Sequence, residues 1–525
     1  MNFRGVGRFA LVALPILLWA GCGQVYRPVV IPCTTGGIPG CPTEQPPSPS
    51  NFHAVFGISN NVPTSPGGAM QIDVEGDSII GETPTSETDS PNLGNIPTYG
   101  AVLPNDSKVF VTSAGSLVTG GLDVVSSFVP AIQSRTATGL GPVSNTILPS
   151  GSLPVFVNTT ESDFVYVANF GTNSVSAVNV LTNQVANTAT VGTNPVALAE
   201  ATIAGGNKLY VTNQGSNTVS SLNTVDLSSN VPGGIVTGST PIWVVARGDG
   251  QKVYVVTQGD GQLVTIDTAT DTITSSIPLG GGAAGANFVS YDPNLGRLYV
   301  VNPVTGMVYV FSDTGGISST GVVSDIPTQL AAISFPLASS LCSSGCSAVI
   351  PTSVAALPDG SRFYVASYQI ASSCPDSFVG ASACIIPQLT VFDALNFTPE
   401  YSTASTLKLL TYPPFQATPA ASPTLYQYAV PLVSTCGPAT PPLATTLYSP
   451  GSTRFRVFTV ASVDSSRVYV SMCDAGAISV INTTASNTNN PLGGTPADTV
   501  VTDLMAAPQP SGVIPQNPIF LFTGQ

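Results

Sequence analysis

Nine cysteines and one histidine are the residues of this 525-residue chain best suited to metal binding, redox or nucleophilic chemistry. Such residues ligate zinc or copper when they cluster at short spacings, and a histidine beside a serine or cysteine can act as a general base. Neither arrangement is written here. His53 stands alone near the end of a Pro-rich stretch, Cys374 and Cys384 are too far apart for a C-x-x-C redox pair, and no G-x-S-x-G elbow occurs. Setting aside Cys22, which ends an apolar N-terminal run, leaves an even number of cysteines, the pattern of disulfides. Local spacing pairs Cys33 with Cys41, Cys342 with Cys346 and Cys374 with Cys384, leaving Cys436 for Cys473. No metal or cofactor is called for.

Disulfides need an oxidising compartment, and the N-terminus reads as an export signal. Arg4 and Arg8 precede the apolar run from Phe9 to Ala20, which Pro15 interrupts and which is shorter than the about 20 residues of a membrane span. It closes as Leu18-Trp19-Ala20-Gly21-Cys22, which resembles the lipobox of bacterial lipoproteins, although Trp19 replaces the aliphatic residue usual there. The resemblance implies a leader over 1–21, a lipid on Cys22 and, with Gly23 next rather than Asp, sorting to the outer membrane, facing the periplasm or the surface. The alternative, an ordinary signal peptide cut nearby, is opposed by the bulk of Trp19. Residues 22–52 are Pro-rich and read as a semi-rigid tether. A net charge of −14, with only 8% charged residues, excludes nucleic acid as a partner.

Some architecture must position whatever these residues do, and the chain writes it repeatedly. KLYVTNQGSNTVSSLN (208–223), FVYVANFGTNSVSAVN (164–179) and KVYVVTQGDGQLVTID (252–267) share one layout. Period-two alternation marks two strands, and the Gly/Asn cluster between them marks a hairpin turn. A proline-opened strand precedes each hairpin and a further strand follows, giving a four-stranded antiparallel meander. Tyr166, Tyr210, Tyr254 and Tyr299 are 44, 44 and 45 residues apart, the period of a β-propeller blade, and Phe110, Tyr364 and Tyr469 extend the series. Lys108, Lys208, Lys252, Arg297, Arg362 and Arg467 each stand two residues before the landmark ring. Tyr210-Val211-Thr212-Asn213 is the signature of the YVTN β-propeller repeat family, which this chain resembles most over 154–312; that resemblance implies an exported single propeller, usually of seven blades.

The ends of the repeat array set the blade number. IPQNPIFLF (514–522) reads as a blade's first strand, and HAVFGIS (53–59), AMQIDV (69–74) and DSIIGE (77–82) supply three partners. The fold expected over 53–525 is therefore an all-β propeller of eight blades, seven complete and one shared by the termini, with seven blades as the alternative. Extra length appears at 313–350, 369–388 and 394–455, and by strand alternation all three insertions emerge on one face, where long loops commonly carry binding sites. Arg247-Gly248-Asp249 resembles an adhesion tripeptide, but its Asp-Gly takes the position of Asp359-Gly360, the first turn of a blade.

These readings lead to a non-enzymatic, monomeric, lipid-anchored propeller presenting a binding face to an envelope protein or small ligand. The alternatives are a lactonase- or quinoprotein-like enzyme with a site at the channel mouth, and a structural envelope component. The acid, Arg and His set of the lactonase propellers cannot be transferred to this sequence. Replacing Cys22 with Ser is expected to release the protein into the soluble fraction, since each buried acyl methylene contributes about 0.8 kcal/mol of membrane affinity. Fractionation of cells expressing the variant checks this, and unchanged membrane association would remove the lipoprotein reading.

Overall fold

A computed structural model describes most of residues 53–524; residues 1–52, the stretches 61–66, 86–95, 116–122, 131–143, 335–345, 373–382, 411–429, 438–447, 484–497 and 506–516, and a few shorter ones lie outside the described residues. Eight antiparallel sheets form the ring. Blade 1 combines both ends of the array: its inner strand is Pro518–Thr523, followed outward by Ala54–Ser59, Gly68–Asp73 and Ser78–Pro84. Blades 2 to 5 follow in chain order, with inner strands Ile96–Val102, Pro154–Thr159, Pro195–Ile203 and Pro241–Ala246. Blades 6 to 8 begin at Phe288–Asp292, Ile350–Ala356 and Val457–Ala461. Each inner strand contacts the inner strands of its two neighbours, and 518–523 touches both 457–461 and 96–102, so the ring is closed. The eight-blade expectation, with one blade shared by the termini, is borne out.

The landmark aromatics form the core between blades. Tyr166, Tyr210, Tyr254, Tyr299, Tyr364 and Tyr469 are fully buried, and Phe56 fills the equivalent place in blade 1. Each basic residue two positions earlier reaches into the turn between the third and fourth strands of the next blade. Lys208 Nζ donates to the Thr268 carbonyl and to Asp271, both at 2.7 Å, and the Tyr210 hydroxyl donates to Asp271 at 2.6 Å. Arg362 and Tyr364 converge on Asp498 in the same way, each at 2.5 Å. Lys252 and Arg247 share Asp313, at 3.2 and 3.0 Å, and Tyr254 also donates to it. Lys108 donates to the Val180 carbonyl and Asn183, and Arg297 to the Ala394 carbonyl. Asp77, Asn183, Asp271 and Asp498 hold φ between 45° and 57° at this turn, a left-handed conformation that Asp and Asn adopt more readily than bulkier residues.

Three segments differ from their expected roles. The 313–350 stretch was expected as an insertion between blades, but it contains the fourth strand of blade 6, Thr328–Ser334, preceded by a small hairpin, Gly316–Ile317 with Val323–Ser324. Part of the extra length therefore belongs to the third-to-fourth connection, on the opposite face. The described parts of the 369–388 stretch are mostly strand: Arg362–Ala371 and Cys384–Asp393 pair over ten residues each, lengthening the blade 7 hairpin beyond the ring. The 394–455 stretch is integrated too, since Leu409–Leu410 and Val430–Pro431 both pair with the third strand of blade 7 at its outer edge. In each case a segment pairs rather than loops, because an unpaired backbone beside a sheet edge leaves donors unsatisfied.

The seam between blade 8 and blade 1 carries the latch of longest sequence separation. Arg467 donates from Nε and Nη2 to the two carboxylate oxygens of Asp77, at 2.8 and 2.9 Å. Burial pushes the Asp77 carboxyl above its ordinary range, with Arg467 pulling the other way. Arg467→Met is expected to cost about 3–5 kcal/mol at neutral pH by leaving a buried carboxylate unpaired. Because the folded-state pKa of Asp77 then rises further, the deficit shrinks as pH falls toward the carboxylate range and Asp77 protonates. Urea unfolding of parent and variant at several pH values measures both effects.

Candidate functional site: the strap across the channel mouth

In six blades a proline at the start of the inner strand is followed by a register shift, between Pro97/Tyr99, Pro154/Phe156, Pro195/Ala197, Pro241/Trp243, Pro351/Ser353 and Pro518/Phe520. Such a bulge re-aims a side chain. Around the ring the corresponding positions are Tyr99, Phe156, Ala197, Trp243, Phe288, Ser353, Phe458 and Phe520, and six of the eight are aromatic. Their rings meet: Tyr99 stacks on Phe156 at 3.9 Å between centroids and lies 4.3 Å from Phe520, while Trp243 packs on Phe288 at 5.1 Å. Phe455 adds a further ring, 4.6 Å from Phe458 and 5.7 Å from Trp243. At this layer the channel is packed with aromatic side chains.

Phe455 reaches that cluster from a strap made by the end of the 394–455 insertion. Its described parts are 430–437 and 448–456, without 451–452. The strap lies on the face formed by the second-to-third loops, as expected from strand alternation. Cys436 is bonded to Cys473 in the blade 8 loop, with Cα atoms 5.7 Å apart, as the spacing argument expected. Beside it Arg456 pairs with Asp474 and also donates to the Gly437 carbonyl, and the Val433 N–H donates to Asp474 at 2.8 Å. Burial pushes the Asp474 carboxyl above its ordinary range, and Arg456 and the Val433 N–H oppose that shift. Blade 1 holds the strap through Asn60 Nδ2 to the Thr435 carbonyl, 3.2 Å, and Asn517 Nδ2 to Thr435 Oγ1, 3.0 Å. Blade 4 holds it through Gln214, which donates to the Tyr448 carbonyl at 2.7 Å and accepts from its N–H at 3.2 Å. Tyr448 meets Phe170 of blade 3 edge to face at 6.3 Å. The strap thus touches blades 1, 3, 4 and 8 around the mouth.

Arg454 sits under the strap. Its guanidinium lies 4.3 Å from the Tyr448 ring centroid, 5.4 Å from Trp243 and 5.9 Å from Phe156, and it donates to the Val196 carbonyl. Ala197, the smallest residue of the ring, leaves the room. Burial raises the phenol pKa values of Tyr99 and Tyr448, and Arg454 pulls both down. Beside the strap the lengthened blade 7 hairpin forms a raised wall, extended by pairing of Cys346 with Ala371 and of Val430–Pro431 with Cys384–Ile385. Gln388 donates to Gln369 at 2.8 Å inside this wall.

The residues singled out from the sequence divide accordingly. Cys436 and Cys473 come together at the strap. Cys346 and Cys384, at the blade 7 wall, are each in a disulfide, while their expected partners Cys342 and Cys374, with Cys22, Cys33 and Cys41, lie outside the described residues. His53 pairs with Glu75 of blade 1 at 2.9 Å. Arg247 of the Arg-Gly-Asp tripeptide is spent on Asp249 and Asp313, and a Cβ on the following Gly250 would lie 1.9 Å from the Thr202 carbonyl oxygen. The acidic first turns are Asx turns: Asp249, Asp359 and Asp464 accept the N–H two residues on, at 3.0, 2.9 and 3.0 Å. Arg454 and Phe455 were not anticipated. Their only sequence signal is their place just before a blade's first strand. Among the described residues no group of three His, Cys, Asp or Glu converges as metal ligands would.

No protein-family model matches the chain, and no curated protein matches it. Among solved structures it is similar to the periplasmic gluconolactonase of Pseudomonas aeruginosa, 14% identical over 90% of this chain and 99% of that one, with a TM-score of 0.45. It is also similar to hydrazine synthase of Kuenenia stuttgartiensis, 16% identical over 64% and 78%, with a TM-score of 0.38. A third is virginiamycin B lyase of Staphylococcus aureus, 12% identical over 58% and 83%, with a TM-score of 0.38.

The disulfide closes a loop with a sequence separation of 37, a constraint of about 3–4 kcal/mol on chain-entropy grounds. Replacing both Cys436 and Cys473 with Ser is expected to lower stability by about 2–4 kcal/mol while leaving the blades folded. Urea unfolding followed by far-UV circular dichroism checks this, with non-reducing peptide mapping of the parent to confirm the bridge.

Proposed function

We propose that the chain is a non-enzymatic, lipid-anchored propeller of the cell envelope that binds a ligand or protein partner on its strap-bearing face. The observation that carries the reading is the strap itself. A long connection is fixed by a disulfide, a buried ion pair and side-chain bonds to three blades, next to a wall raised by blade 7. Elaboration concentrated and rigidified at one place on a scaffold is the form that preorganised binding surfaces take. The groups at the mouth, aromatic rings and a guanidinium, suit holding a ligand better than moving protons. Anchoring through Cys22, the envelope location and the monomeric state belong to the same proposal.

Cross-linking the full-length protein in intact envelopes, followed by mass spectrometry, tests the reading. Partner cross-links are expected to map to the second-to-third loops and to 430–456. Cross-links confined to the opposite face, or none above a propeller control, would overturn it.

A further inference from the structure

Arg454 is one of three half-buried cations that reach no carboxylate among the described residues, with Lys108 and Arg297. Lys208, Lys252, Arg362, Arg456 and Arg467 each reach an aspartate carboxylate. Arg454 instead has three aromatic rings and one carbonyl. Its Nε and Nη1 are buried and donate to nothing among the described residues. A buried cation is normally paired, because rings compensate only part of the hydration it has lost. A leucine or methionine would cover the same rings without that cost. Arg454, Tyr448 and Phe170 are each partly exposed at the mouth.

We propose that Arg454 anchors a subsite for an organic anion, a carboxylate carried on a planar apolar body. The carboxylate takes the free N–H groups of the guanidinium, and the body lies against Tyr448 and Phe170. Charge-assisted hydrogen bonds in an apolar setting supply the selectivity for a charged head, and the aromatic walls favour an apolar body over a strongly hydrated inorganic anion. The proposal rests on the binding reading above and narrows it to one ligand class.

Trp243, one of two tryptophans in the chain, lies 5.4 Å from the guanidinium and reports on the site directly. The test titrates the full-length protein with benzoate, benzamide and inorganic phosphate, following tryptophan emission and the unfolding temperature. Benzoate is expected to give a saturable emission change and a raised Tm, with benzamide and phosphate ineffective over the same range. Arg454→Met is expected to weaken benzoate by about tenfold or more, and Arg454→Lys to retain part of the affinity. No saturable response to benzoate, an equal response to benzamide, or unchanged affinity in Arg454→Met would overturn the subsite. A phosphate response equal to that of benzoate would overturn the planar-body requirement. Should the Met variant fail to fold, the parent titrations and the Lys variant decide. Partner cross-links at the strap without benzoate binding would sink the subsite alone and leave the binding face standing.

Discussion

In six of the eight blades a cation at the start of the second strand reaches a turn of the next blade, and this is the contact on which the ring depends. Blades otherwise meet through apolar faces, which set distance but not register. The lysine or arginine, the buried tyrosine hydroxyl and an aspartate held in a left-handed turn add direction to that packing. Each latch fixes how far one sheet rotates against its neighbour. Small errors would accumulate over eight blades, and a ring can close only if they do not. Few charged residues are present, and those of the latches are placed where a misaligned blade would leave an ion buried without its partner, which is strongly unfavourable.

Much of this was legible because it repeats. Strand alternation, the proline openings and the spacing from Tyr166 to Tyr299 give blades directly, and the basic residue two before six of the landmark rings marks a position with a shared role. The role itself was hidden, because the partner of Lys208 is an aspartate 63 residues away in another repeat. Likewise the match of 514–522 to a first strand identified the shared blade, whereas Thr328–Ser334 escaped as a fourth strand. Outer strands have one face in water and carry little hydrophobic signal, so TQLAAIS reads like a loop.

The mouth was the least legible part, for a related reason. Tyr99, Phe156, Trp243 and Phe520 occupy one blade position, but their convergence on the axis depends on bulges that sequence alternation does not reveal. Phe455 and Arg454 lie outside the repeat altogether. Only the cysteine spacing pointed to their neighbourhood, since pairing Cys436 with Cys473 brings the long connection back onto blade 8. The repeat thus explains the scaffold, and the departure from it explains what distinguishes this propeller from an undecorated ring. Filling the axis with rings also stabilises the inner strands against sliding, so the strap joins the core as well as covering it.

The shared blade has a kinetic side. Its second strand, Ala54–Ser59, lies between Gly68–Asp73 and Pro518–Thr523, so one of its neighbours is local and the other is more than 450 residues distant in sequence (roughly, by chain position). A chain delivered from its N-terminal side can assemble blades 2 to 8 one after another while blade 1 waits as a three-stranded fragment with an uncovered inner edge. That edge is apolar and uncharged (AVFGIS), a template on which a second incomplete molecule could pair. Folding of this ring therefore ends where its sequence array begins, and the interval before the last strand arrives is the period in which the molecule most needs protection from its own kind.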